Sequence, residues 1–230
     1  PYIVTESLIA EPNIHSAEFN LIAAAIYSYQ GWSLTAFTYM NKALDNRTNQ
    51  ITNSFIIMDH PGRFSTITSA SLLYQRAEIS KATVGYYRVI TVDEAMDYKS
   101  QSLGLPTGTY VVGKTGIYFA DKDGNLLFRS GNFDISETES DASILEKILH
   151  SELISEGGEM IWNENEQTFV LNTKSTQGAV GYIGGRNIRL DDVEMYIETP
   201  YAQVTVSALG AKKDGVNPDI ATAEKLLVTA

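Results

Sequence analysis

The rhythm of hydrophobic positions changes near Arg76. Before it, apolar residues come in continuous runs or at helical spacing. The opening run PYIVTE, residues 1–6, sets Tyr2, Ile3 and Val4 side by side, as in a strand of a parallel sheet covered on both faces. After the polar loop SLIAEPN, the Ala- and Leu-rich stretch SAEFNLIAAAIYSYQ, residues 16–30, predicts a helix of about four turns, with Ser16 or Asn13 available as N-cap. Gly31 ends it, and WSLTAFTYM, residues 32–40, predicts a second apolar strand. Strand, helix and strand joined by short connections form a βαβ unit, with the strands parallel and the crossover right-handed. The polar excursion KALDNRTNQITNS then leads to a second helix over residues 61–76. Pro61 suits its first position, and Phe64, Ile67, Ala70 or Ser71, and Tyr74 share one face.

Beyond Arg76, Thr, Val, Tyr and Ile alternate with polar residues between Gly and Asp turns, which predicts antiparallel β structure. TVGYYRVITV, TYVVGKTGIYFA, NLLFRS, EMIWN, QTFVLNT, QGAVGYIGG, NIRL, VEMYIET, AQVTVSALG and KLLVT are the expected strands. Their number and spacing point to a β-sandwich. ASILEKILHSEL interrupts them with Ile144, Leu145, Ile148 and Leu149 at helical spacing. DKDGN, residues 121–125, reads as a hairpin turn, since it lacks the later Glu of an EF-hand loop; Gly184-Gly185 is another turn, and SETESDAS a solvated loop. The expected organisation is an α/β part over residues 1–76 and an all-β part over residues 77–230. Both ends of the sequence fall inside apolar runs, so the chain is expected to belong to a longer polypeptide.

Composition narrows the partners. Of 230 residues, 43% are hydrophobic, ample for a folded core, and the formal charge is -11. Such acidity argues against nucleic acid or an anionic membrane as partner, and leaves a neutral ligand such as a sugar. No run of 18 apolar residues is present to span a membrane. The absence of Cys excludes disulfides, thiolate metal sites and cysteine nucleophiles, and fits an extracellular or periplasmic bacterial protein.

The chemistry-bearing residue is Glu6, at the C-terminal end of the first strand, where α/β barrels keep their active sites. An ordinary strand-end role is its alternative. PYIVTE, then EPN and AE opening an Ala-rich helix, then YQGW and a strand ending FTYM, resemble the end of the barrel in clan A retaining glycoside hydrolases. The stretch from GGEMIWNENEQTFVLNT through TQGAVGYIGG and TPYAQVTVSALG to LLVTA is similar to the β-sandwich that follows the barrel in bacterial proteins of that kind. The resemblance implies that residues 1–76 are the last two βα units of a (β/α)8 barrel and residues 77–230 an accessory β-sandwich. It implies Glu6 as nucleophile and Tyr39 as a platform under the sugar, although Tyr39 as a core aromatic is equally consistent. Glu11, Asn13 and His15, on the loop after Glu6, would bind substrate hydroxyls or orient the nucleophile, with helix capping as the alternative for Asn13. Trp32 is expected in the core, and Asp59 and His60 as caps of the second helix.

Two features depart from the family pattern. Relatives carry a short Asp-Gly turn where this chain has ALGAKKDGVNPDIATAEK, and the strand-4 Asn-Glu pair bearing the acid/base is not in this sequence. Retaining hydrolysis needs both a nucleophile and an acid/base, about 5–5.5 Å apart. Glu6 fills only the first role, so the implied partner is the remaining barrel segment, in the same or a separate chain, together with a carbohydrate substrate. The reading calls for no cofactor and no metal. Its rival is a non-catalytic carbohydrate-binding or assembly protein on the same scaffold.

Overall fold

A computed structural model describes residues 3–4, 7, 9–10, 13–34, 60–97, 105–106, 108–128, 148 and 152–230. It combines helices with mostly antiparallel sheets. Strand β1 (Ile3–Val4) lies parallel to β2 (Ser33–Leu34), with Ile3 opposite Ser33 and Val4 opposite Leu34. Between them runs α1 (Phe19–Gln30). Gly31 closes α1 in the left-handed conformation at φ 68°, its N–H on the Ser28 carbonyl and that of Trp32 on Tyr27. The N-terminal end differs from expectation. Asn13 and Ser16 fall in the turn before the helix, and Glu18 takes the N-cap position without a side-chain bond to the first turn.

Helix α2 (Pro61–Gln75) begins as expected, with Pro61 in its first turn and the His60 ring accepting the Arg63 amide hydrogen. Its buried face is another matter. Phe64 is 52% exposed, while Arg63, Thr66, Ser69, Ala70 and Leu73 are buried. The rotation follows from what α2 must touch on either side. Asn20 of α1 donates its amide to the Arg63 carbonyl at 2.7 Å, and Ser69 meets the Thr205 hydroxyl at 3.0 Å. Small, hydroxyl-bearing residues allow a close approach and satisfy one another there, whereas a Phe would hold the layers apart.

The segment after α2 is not wholly antiparallel. Strands β3 (Gly85–Thr91) and β4 (Lys114–Ala120) pair in parallel from Gly85 opposite Lys114 to Thr91 opposite Ala120. Only β5 (Leu126–Phe128) is antiparallel, to β4. A parallel pair needs a long crossover, and this one contains helices α3 (Val92–Met96) and α4 (Thr109–Val112). A capping box opens α3: Thr91 accepts from the Glu94 amide while the Glu94 carboxylate accepts from the Thr91 amide and hydroxyl, which holds that carboxyl below its ordinary range. The expected strand TYVVGKTGIYFA is thus split, its first four residues helical. Gly113 marks the break because the Tyr86 ring lies where its Cβ would be.

The largest layer is a six-stranded antiparallel sheet of β6 (Glu152–Ile154), β7 (Met160–Asn163), β8 (Thr168–Asn172), β9 (Thr176–Gly181), β12 (Ala202–Leu209) and β13 (Lys225–Thr229), in the order β13-β12-β9-β8-β7-β6. A hairpin of β10 (Asn187–Arg189) and β11 (Glu194–Tyr196) lies apart from it. Alternation sorts the two faces. Phe169, Leu171 and Val180 join Leu21, Tyr29 and Leu73 in the core shared with the helices. Val170, Ala179 and Val204 face the other way and pack with Ile188 and Met195 of the hairpin. Covered on both sides, β9 is buried at every position. The turns at DKDGN and Gly184-Gly185 are present, the first organised by Asp121 accepting from the amides of Asp123 and Asn125. In ASILEKILHSEL, Ile148 is helical and Glu152 and Leu153 already belong to β6; its other residues lie outside those described, as does SETESDAS.

Polar clasps tie the helices to the sheets. Buried Arg76, just past α2, donates to the carbonyls of Ala208 at 2.8 Å and Gly210 at 2.9 Å, and faces Glu78 at 3.5 Å. Thr173 donates its hydroxyl to Glu78. Gln30, at the end of α1, donates to the carbonyls of Tyr110 and Gly113 and accepts from the Thr115 amide and hydroxyl. Replacing Gln30 by Leu would leave two carbonyls and an amide hydrogen buried without partners. The expected loss is about 2–3 kcal/mol, read as a lowered urea midpoint at unchanged slope.

Glu78 gives a pH signature. Burial raises its carboxyl above the ordinary 4.5, against the hydroxyls of Thr176 and Thr173 and the charge of Arg76, which pull it down. The folded carboxyl therefore keeps its proton to higher pH than the unfolded one, and unfolding releases a proton in that window. Stability should fall as pH rises from 4.5 through the folded value, and Glu78→Gln should flatten that part of a thermal-unfolding profile.

Candidate functional site

The described part of the loop after β1 reaches the sheet at one polar and aromatic cluster. Asn13 starts it by accepting the His15 amide hydrogen on its side-chain oxygen at 2.8 Å, while its carbonyl takes the Ser16 amide at 3.1 Å. This Asx-type turn carries His15 and Glu18 toward β12. There the Tyr201 hydroxyl donates to Glu18 Oε2 at 2.7 Å. His15 Nδ1 stands 3.2 Å from Glu18 Oε1 and 3.3 Å from the Tyr201 oxygen. Because the Tyr201 proton is committed to Glu18 and a carboxylate only accepts, the network assigns the hydrogen of neutral His15 to Nδ1.

Three rings continue the cluster outward. His15 and Tyr201 meet edge to face at 5.5 Å between centroids, and Tyr201 meets Tyr182 in the same manner at 5.3 Å. Tyr182 is 38% exposed and the His15 side chain 42%. Arg186 braces Tyr182 by donating to its carbonyl at 2.6 Å, and pairs with Glu166. Burial pushes the Tyr201 phenol well above its ordinary range, and its bond to Glu18 and the charge of that carboxylate add to the effect. Tyr201 is therefore a hydrogen-bond donor at any working pH, not a nucleophile.

Of the sequence candidates, Asn13 and His15 come together here, Asn13 as the residue that holds the turn. Glu6, Glu11, Tyr39 and Asp59 lie outside the described residues. His60 caps α2 as expected, and its Nε2 is 3.5 Å from the Ser16 hydroxyl. Trp32, expected in the core, is half-buried instead. It stacks obliquely on Tyr27 and lines an open cleft of about 560 Å³ with Ile26, Tyr110, Thr115 and Ile117. The hydroxyls of Thr109 and Thr115 in that cleft are spent on Pro106 and Gln30, so its walls are chiefly apolar. Since Trp32 precedes β2, the cleft lies toward the strand starts, away from the end that leads to Glu6. Among the described residues, no group of three or more His, Asp or Glu could hold a metal ion.

Glu18, Tyr182 and Tyr201 carry no sequence motif of their own. Glu18 reads as part of a helix opening and Tyr182 as part of a strand. Tyr201 belongs to TPYA, from which no role can be read. In comparisons with known proteins, the chain matches no family model, no curated protein and no solved structure.

Tyr201→Phe removes one hydrogen bond to a charged acceptor from a half-buried site. The expected cost is about 1.5–3 kcal/mol in thermal unfolding, with faster proteolysis in the loop of residues 13–18.

Proposed function

We propose that this chain supplies the C-terminal part of a bacterial retaining glycoside hydrolase of the clan A type. Residues 1–76 would be the last two βα units of the barrel and residues 77–230 the β-sandwich that follows it. The observation that carries the reading is the parallel pairing of β1 and β2 with α1 between them. In this reading Glu6, which follows β1 along the chain, and Tyr39, which follows β2, would stand at the strand ends where barrels hold their chemistry.

In this reading Glu6 is ionised and attacks the anomeric carbon. The bond from that carbon to the leaving oxygen breaks as a second carboxyl group protonates the oxygen. A water activated by that same group then cleaves the glycosyl ester. The second carboxyl would come from the rest of the barrel, about 5–5.5 Å from Glu6. Tyr39 would floor the sugar, and Glu11, Asn13 and His15 would shape the rim. No cofactor is needed. The acidic chain suits a neutral polysaccharide in an extracellular or periplasmic setting.

The test uses the whole polypeptide that contains this chain, a panel of aryl glycosides, and 2-fluoro glycosides that trap the nucleophile. Glu6→Gln should lower turnover by at least ~10³-fold with the unfolding profile kept, and peptide mapping should find the trapped sugar on Glu6. A folded protein that neither turns over nor traps any member of the panel would overturn the reading in favour of a non-catalytic carbohydrate-binding or assembly protein.

A further inference from the structure

We infer that the His15–Tyr201–Tyr182 row, with Arg186, is a binding subsite for a ring of a neutral oligosaccharide, contributed by the β-rich part of the chain to the loop after β1. The inference rests on the glycosidase reading, and it adds Tyr182, Tyr201 and Arg186 to the His15 that the reading places at the rim.

Three observations carry it. The rings form a continuous edge-to-face row with centroid spacings of 5.5 and 5.3 Å, and the row is open to solvent: Tyr182 is 38% exposed and the His15 side chain 42%. Donors and acceptors flank the rings together. Arg186 uses one nitrogen on Glu166 and another on the Tyr182 carbonyl, leaving N–H groups of its guanidinium to give, while the half-exposed Glu166 carboxylate keeps lone pairs to accept. Each carboxylate beside the row has a partner, Glu166 on Arg186 and Glu18 on Tyr201 and His15.

That combination fits a polyhydroxylated ring better than its competitors. A sugar presents C–H groups to an aromatic face and hydroxyls at its edge, which need both donors and acceptors. An anionic ligand would call for surplus cations, and a partner helix for a continuous apolar groove. In sequence, His15 belongs to the same connection between β1 and α1 that holds Glu6. Tyr201 positions the row through Glu18, and Tyr182 is the ring that meets the ligand.

Binding is best measured in Glu6→Gln, which holds substrate without consuming it. The probes are neutral β-linked tetrasaccharides of glucose, xylose, mannose and galactose, followed by calorimetry. Adding Tyr182→Ala should weaken the best of them at least tenfold, while Tyr182→Phe keeps affinity within about threefold and Tyr196→Ala, on the exposed side of β11, changes nothing. Tyr182→Phe should unfold at the temperature of its parent, and Tyr182→Ala a few degrees lower, as the loss of one ring contact requires. If Glu6 is trapped by a 2-fluoro glycoside but Tyr182→Ala binds as its parent does, the subsite is wrong and the glycosidase reading stands. If no tetrasaccharide binds the parent and nothing traps Glu6, both fall together.

Discussion

Two consecutive buried side chains at the end of α1 hold the layers in register. Tyr29 and Gln30 are 0% and 1% exposed, and each turns a polar end toward a different part of the molecule. Gln30 fixes the entry to β4 through Tyr110, Gly113 and Thr115. The Tyr29 hydroxyl meets Glu156, in the turn after β6, and that carboxylate also accepts from the amides of Thr83 and Val84 ahead of β3. One helical end thus sets the small parallel sheet and the large antiparallel sheet against each other. A buried polar group is costly unless satisfied, so these contacts fix a single arrangement where apolar packing alone would tolerate several.

Continuity of the core follows from that clasp. Leu21, Ala24 and Leu73 of the helices pack with Tyr86 of β3 and with Phe169, Leu171 and Val180 of the large sheet. The helices serve as one cover of the sheet and the β10–β11 hairpin as the other. Arg76 and Glu78 add a second seam, where a guanidinium reaches the Ala208 carbonyl of β12 and the Gly210 carbonyl just beyond it, and a buried carboxyl sits beside it. Local alternation in each strand and long-range polar ties therefore act on the same arrangement of layers.

Much of this was legible in the sequence because the local signals were strong. QTFVLNT, AQVTVSALG and KLLVT became strands because their alternation suits a sheet with two dissimilar faces. Gly31 and Pro61 marked helix ends through backbone constraints that operate in any context. Three features escaped. The parallel pairing of β3 with β4 is a property of the crossover, and the period of a strand says nothing of its partner's direction. The buried face of α2 was hidden because its contacts are made by Thr66 and Ser69, whose burial depends on the Asn20 amide of α1 and the Thr205 hydroxyl of β12. Helix α3 did carry a signal, the Thr91-to-Glu94 capping spacing, overshadowed by the β-branched residues before it. As for the site, Asn13 and His15 were singled out from their loop, while Tyr182 and Tyr201 became visible only when distant segments met.

That meeting has a consequence for biosynthesis. The bond between Tyr201 and His15 closes across 186 residues, and the Thr205 hydroxyl reaches back 136 residues to Ser69 of α2. At roughly 5–20 residues per second, the early loop waits on the order of 10–40 s before the residues that anchor it have been synthesised. Throughout that interval α2 keeps its polar face without the β12 partners, and the loop after β1 lacks its anchor. The N-terminal elements of this chain are made first and completed last.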